Sequence, residues 1–202
     1  MNANAREGIL RAVRDNQPRP AVPLPDIPEF PRDGEPLVSR FGRMLAVMGG
    51  RCFEVADAAG ANATIAELFP DARVVCSAVP EVPGTRRVVD GTDPHELDDV
   101  DVGVVRTPLA VAEMGAVWLT QEDLIVNALG VLPEHLIILL DPAAIVATIH
   151  DAYRAIDLAR SPYGVFLAGP SATGDIEGVI IRGAQGARSL TVLLLARQAA
   201  LH

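Results

Sequence analysis

Three short segments of this 202-residue chain combine ionisable or hydroxyl side chains with glycine, the composition from which small catalytic and binding loops are built. The first reads Ala112-Glu113-Met114-Gly115-Ala116. Glu113 stands alone between apolar runs, so partial burial would raise its pKa and suit it to proton transfer or to attack on an acyl group. The plainer alternative is a carboxylate satisfied by loop amides. The second, Leu132-Pro133-Glu134-His135, enters an apolar run. There His135 is placed to carry a proton near neutral pH or to bond the preceding loop. The third, Gly169-Pro170-Ser171-Ala172-Thr173-Gly174-Asp175-Ile176-Glu177, follows another apolar run. Its small residues can turn backbone N–H groups, with the Ser171 and Thr173 hydroxyls, toward an anion. In a strand Asp175 and Glu177 would share one face, where they would hold a metal, share a proton or fix the loop. The turn Gly183-Ala184-Gln185-Gly186-Ala187 then leads into the last apolar run.

Other chemistries find less support. The third segment lacks the lysine and spacing of a P-loop and the Gly-x-Gly-x-x-Gly of a dinucleotide fingerprint. No two histidines among His95, His135, His150 and His202 have metal-ligand spacing, so no metal is expected. Cys52 and Cys76 form no Cys-x-x-Cys pair, which leaves no iron–sulfur ligand set and two strand-borne thiols. The acidic stretch over residues 90–101 lacks the rhythm of a calcium loop and reads as a solvated segment.

The elements that must position these groups alternate. Residues 3–14 have the spacing of a short amphipathic helix. Seven prolines between positions 18 and 36 exclude helix and make residues 17–36 an extended arm. Apolar residues at helical spacing from Leu37 to Met48 end at Gly49-Gly50, before a strand over 51–55. A helix over 62–69 and a strand over 73–76 repeat the step. Apolar β-prone runs follow at 102–105, 116–120, 136–140, 165–168, 179–181 and 190–195, and continuous apolar strands imply burial on both faces. Asp141-Pro142 opens a predicted helix ending near Arg160, with Ile145, Ile149, Tyr153 and Ile156 as its buried stripe. The expected architecture is α/β: a Rossmann-like, mostly parallel sheet flanked by helices, with residues 1–16 as a helix, 17–36 as the arm and 37–202 as the domain.

Seventeen basic against 26 acidic residues give a net charge of −9, which repels phosphate backbones and argues against nucleic acid as a partner. Mean hydropathy is positive, yet no apolar run reaches the roughly 18–20 residues needed to span a bilayer. The first residues lack the apolar core of a signal peptide, so a cytoplasmic location is expected.

Taken together, Ala112-Glu113-Met114-Gly115, Leu132-Pro133-Glu134-His135, the segment from Gly169 to Glu177 and Gly183-Ala184-Gln185-Gly186 resemble the LUD domain family over roughly residues 37–197. The resemblance is strongest to its small lactate utilization members without a ferredoxin-like region. It implies a fold related to the ribose-phosphate isomerase and CoA-transferase group. It also implies an accessory or substrate-binding role in oxidising L-lactate to pyruvate, with iron–sulfur clusters in partner proteins and none here. On that reading Ser171, Thr173 and Glu113 surround a small carboxylate, with Gly169, Glu177 and Gln185 as further ligand-binding candidates, while Glu113, assisted by Asp175 or His135, is the catalytic candidate of the competing enzyme reading. Two positions depart from the family: Gln185 stands where histidine is common, and Gly174 where alanine is. Glutamine cannot act as a general base, so only a hydrogen-bonding role survives at that turn. The competing reading is a stand-alone enzyme on an acyl-CoA or sugar phosphate, with Glu113 as base or nucleophile.

Overall fold

The computed structural model describes residues 3–17, 23, 25–28 and 34–197. The chain divides into two units, Met1–Gly34 and Glu35–His202. In the first, α1 (Ala3–Asp15) forms as its spacing predicts, with Ile9 and Val13 exposed. The proline-rich arm expected over 17–36 lies mostly outside the described residues, as does His202.

The second unit begins with α2 (Leu37–Val47), which buries Phe41 and Leu45 and stops at the glycine pair before β1 (Arg51–Glu54). Asp57 caps α3 (Ala58–Leu68) by accepting from the Gly60 N–H, four residues earlier than the sequence pattern indicated. β2 (Val75–Ser77), β3 (Arg86–Arg87) and β4 (Val102–Thr107) follow. The acidic side chains of residues 90–101 are mostly exposed, as expected of a solvated segment, and two of them also fix the fold: Asp99 pairs with Arg86, and Asp101 accepts from the Arg73 and Val74 amides. Those two amides hold the Asp101 carboxyl below its ordinary range.

β5 (Leu109–Val111), β6 (Ala116–Thr120), α4 (Gln121–Leu124) and β7 (His135–Leu140) come next. β8 (Ile145–Val146), α5 (Ile149–Ala155), β9 (Gly164–Leu167), β10 (Ala172–Thr173), β11 (Ile181–Arg182) and β12 (Ser189–Leu194) complete the unit. β1-β12-β7-β4-β2-β3 form a six-stranded sheet in which every pairing is parallel, as the alternation of helix and strand requires. Its central strands are buried on both faces. Ile137 and Leu139 of β7 pack with Ala61 and Ile65 of α3, while Leu136, Ile138 and Leu140 pack with Phe41 and Leu45 of α2 and with the second sheet.

Three expectations are corrected. The run at 179–181 is not a buried strand of the main sheet: Val179 and Ile180 are exposed, and only Ile181 pairs, in β11, antiparallel to β10 in a separate two-stranded sheet. β6 and β9 belong to a separate four-stranded sheet, order β8-β5-β6-β9, with antiparallel β5/β6 and β6/β9 pairs, so the apolar runs at 116–120 and 165–168 are not strands of the main sheet. The helix predicted from Asp141 lasts one 3-10 turn. Asp141 does cap it, but β-branched Ile145 and Val146 pair with β5 instead, and a Thr148/Asp151 capping box starts a new, shorter helix on which Tyr153 is exposed.

The two sheets meet at the C-terminal turn of α2. Gly115, in the β5–β6 turn, has φ +61, and a Cβ there would lie 2.6 Å from the Leu45 Cα. Gly169, after β9, has φ +77, and a Cβ would lie 2.9 Å from the Met48 carbonyl carbon. Backbone meets backbone at both places, so no side chain can rotate away. Gly115→Ala and Gly169→Ala should each therefore cost about 2–4 kcal/mol, combining left-handed strain with overpacking. Denaturant unfolding checks this; a loss below about 0.5 kcal/mol at either position would contradict the contact.

Candidate functional site

The motif segments gather at the amino edge of the parallel sheet. His135 and Ser189 are the first residues of β7 and β12 and stand in register with Val102 of β4. The Ser171 N–H donates to the Ala187 carbonyl, the Gly183 N–H donates to the Ser171 carbonyl, and the Arg188 N–H donates to the Glu134 carbonyl. An ion pair of 2.6 Å joins Arg188 to Glu134. The Arg182 guanidinium lies against Gly49. Ligands of open parallel sheets commonly sit at the opposite, carboxyl edge.

Each candidate residue has a defined place. Glu113 is exposed rather than partly buried, and its carboxylate accepts a 3.0 Å bond from the Ile149 N–H at the start of α5. That bond is the plainer alternative, a carboxylate satisfied by a loop amide. His135 is half-buried, with Nδ1 2.8 Å from Ser189 Oγ and its ring stacked on Phe69 at 4.4 Å between centroids. It therefore bonds a neighbouring strand and not the loop before it. Gly169 seats the motif loop on α2, as described above. Asp175 and Glu177 do not share a strand face: they lie in the exposed turn between β10 and β11, Glu177 with φ +55. The Asp175 N–H donates to Thr173 Oγ1. Gln185 is exposed in the turn before β12. Ser171 thus meets the Gly183–Ala187 turn, whereas Glu113, His135 and Asp175 share no hydrogen bond with one another among the described residues.

Burial disfavours the charged form of His135 and lowers its pKa, with the Glu134 carboxylate opposing and Arg188 and Arg51 assisting. The thiols are quieter still. Burial, aided by the Glu54 carboxylate, pushes Cys52 up to about 11, and burial raises Cys76. Both stay protonated at neutral pH. They also sit on β1 and β2, four strand spacings apart or roughly 19 Å, too far to ligate one cluster. Among the described residues no three His, Cys, Asp or Glu side chains converge as a metal site would.

A residue outside every motif occupies the carboxyl edge. Arg106, at the end of β4, is 9% exposed and lines a cleft of about 430 Å³ formed where β1, β2, β4 and β12 end. Its Nη2 contacts Glu81 at 2.8 Å, its Nη1 donates to the Leu195 carbonyl at 3.3 Å, and its buried Nε has no partner. Sequence reading missed it by ending the strand at Val105. A charged residue closing the run Val102-Gly103-Val104-Val105 was the available signal. A larger cleft of about 580 Å³ lies beside Trp118 and α5. Several of its polar groups serve the local fold: Asp123 caps α4 with Thr120, Asp157 accepts from the Ala159 N–H, and Ser161 donates to the Tyr163 carbonyl.

A family model described as the LUD domain matches residues 93–195, about half of the chain and all of the motif segments. The chain belongs to the LUD domain family. The fold of this LUD domain is also that of a DUF162 family protein from Deinococcus radiodurans, known from its crystal structure. The two share 20% identity and a TM-score of 0.64, over 82% of this chain and 100% of the other. At that identity the likeness is one of fold. Comparison with curated proteins gives no match. The family is associated with lactate utilization, and no described helix of this member is long and apolar enough to cross a membrane.

The depressed His135 pKa gives the LUD domain a pH signature. Neutral imidazole is favoured in the folded state, so its stabilising contribution is complete above the ordinary value of 6.5 and is lost as pH falls toward the lower folded value. Between pH 7.5 and 5, the urea midpoint should therefore fall more steeply in the native sequence than in His135→Gln. Equal slopes would contradict the assignment.

Proposed function

We propose that this LUD domain is a cytoplasmic, small-carboxylate-binding component of a system that oxidises L-lactate to pyruvate, with electrons carried by iron–sulfur clusters in partner proteins. The observation that carries the reading is the family match over residues 93–195. The chemistry of the chain supports the division of labour. Its two thiols stand on separated strands and could not ligate one cluster together, which supports placing the clusters in partner proteins. The groups suited to meeting a carboxylate are the Ser171 and Thr173 hydroxyls and the Gln185 amide at the amino edge, and the Arg106 guanidinium at the carboxyl edge. Glu113, exposed and held by the Ile149 amide, lacks the buried surroundings that would make it a proton donor or nucleophile.

Two measurements test the proposal together. Affinity capture from native cells under reducing, oxygen-free conditions should bring down a polypeptide whose visible absorption reports an iron–sulfur cluster. L-lactate at tens of times its dissociation constant should raise the melting temperature of the pure chain by a few degrees, since a ligand that binds only the folded state stabilises it by mass action. Repeated capture without any cluster-bearing partner, from cells that are oxidising lactate, would sink the reading.

A further inference from the structure

We propose that the carboxyl-edge cleft is where this LUD domain holds its small carboxylate, with the Arg106 guanidinium as anchor and the Glu81 carboxylate as the group the ligand displaces. The inference rests on the reading above for its substrate class and names a place which that reading leaves open.

Arg106 is the starting point. A guanidinium cannot lose its charge at accessible pH, and burying one is costly unless anions and acceptors surround it. Here it is nine-tenths buried, yet only part of its five-donor fork is engaged. One Nη meets Glu81, the other meets the Leu195 carbonyl, and Nε has no partner. Such a donor set is complementary to a carboxylate, and the structure shows one carboxylate already on it, that of Glu81. Glu81 differs from a permanent partner in its exposure. Its side chain is about one-third open to solvent at 32%, against 10% for that of Arg106. Its backbone is held separately, the Glu81 carbonyl accepting from Asn62 Nδ2, so the carboxylate can leave without moving the loop.

The surroundings select the ligand. At one wall the N-terminus of α3 presents the Ala58 end of an eleven-residue helix, favouring negative charge. Val79, Pro80 and Leu195 supply apolar surface suited to the methyl end of a three-carbon acid. Asp57 lines the cleft and Asp141 feels the charge of Arg106, and both carboxylates are occupied by amides, Gly60 for the first and Ala143 and Arg197 for the second. Against Arg106 and Arg197 these two acids and Glu81 leave no surplus of positive charge. A dianion such as a phosphate ester would be repelled, whereas a monoanion can exchange with Glu81 one charge for another. The place also matches the general rule that parallel sheets take ligands beyond the carboxyl ends of their strands.

Isothermal titration of the full chain with L-lactate, propionate and uncharged propionamide tests the proposal. Both carboxylates should bind and propionamide should not. Glu81→Gln should tighten both carboxylates about 2- to 5-fold, the range set by releasing a partly exposed ion pair. Arg106→Gln should weaken them at least about 10-fold, as loss of a charged hydrogen-bonding anchor does. Should Arg106→Gln fail to fold, the sign of the Glu81→Gln change still decides. Unchanged or weaker binding in Glu81→Gln, equal binding of propionamide, or no binding of either carboxylate by the native chain and Glu81→Gln would overturn the site. Carboxylate binding that follows Arg106 and Glu81, without any cluster-bearing partner in cells, would keep this site and reject the lactate system. The reverse pair of results would do the opposite.

Discussion

The placement of the second sheet depends on a contact between backbones. α2 ends against two glycines in left-handed conformation, Gly115 from the β5–β6 turn and Gly169 from the end of β9, and neither position has room for a Cβ. Since α2 runs directly into β1, this contact ties the mixed four-stranded sheet to the parallel one. It also directs the chain after β9 into the β10–β11 hairpin and brings Ser171 onto the turn before β12. The motif segments are thus located by close packing, which two of their glycines, Gly115 and Gly169, make possible.

With the sheets seated this way, the two edges of the parallel sheet differ in chemistry. At the amino edge the polar groups largely satisfy one another: Ser171 with Ala187 and Gly183, Arg188 with Glu134, His135 with Ser189. At the carboxyl edge a buried guanidinium retains an unpartnered nitrogen and leans on a carboxylate that solvent can reach. The first arrangement is that of a fastening. The second is that of a site with exchangeable occupancy, and a register that aligns β4, β7 and β12 residue for residue is what sets their ends side by side.

The sequence made some of this legible and concealed the rest for physical reasons. Gly49-Gly50 ending α2, the strand at Ala116–Thr120 and the entry of His135 into β7 could all be read because local signals and tertiary structure agree. Asp141-Pro142 misled because a correct local cap was overruled within one turn, when pairing of Ile145 and Val146 with β5 outweighed continuing the helix. Apolar runs do not disclose which sheet they join, so β6 and β9 were indistinguishable from strands of the main sheet. The spacing of Asp175 and Glu177 implied a shared face only if the segment were extended, and it turns. Arg106 was hidden by contrast with its surroundings: one charge at the end of an apolar strand carries no motif, and its meaning lies in partners from the segments that follow β12 and β2.

The most direct measurement of where this LUD domain meets its ligand is a crystal structure of the chain grown with L-lactate. The account predicts ligand density in the carboxyl-edge cleft, the carboxylate oxygens about 2.7–2.9 Å from the Arg106 guanidinium and the Glu81 side chain turned away. Ligand density against Ser171, Thr173 and Gln185 at the amino edge, with Glu81 still on Arg106, would contradict it.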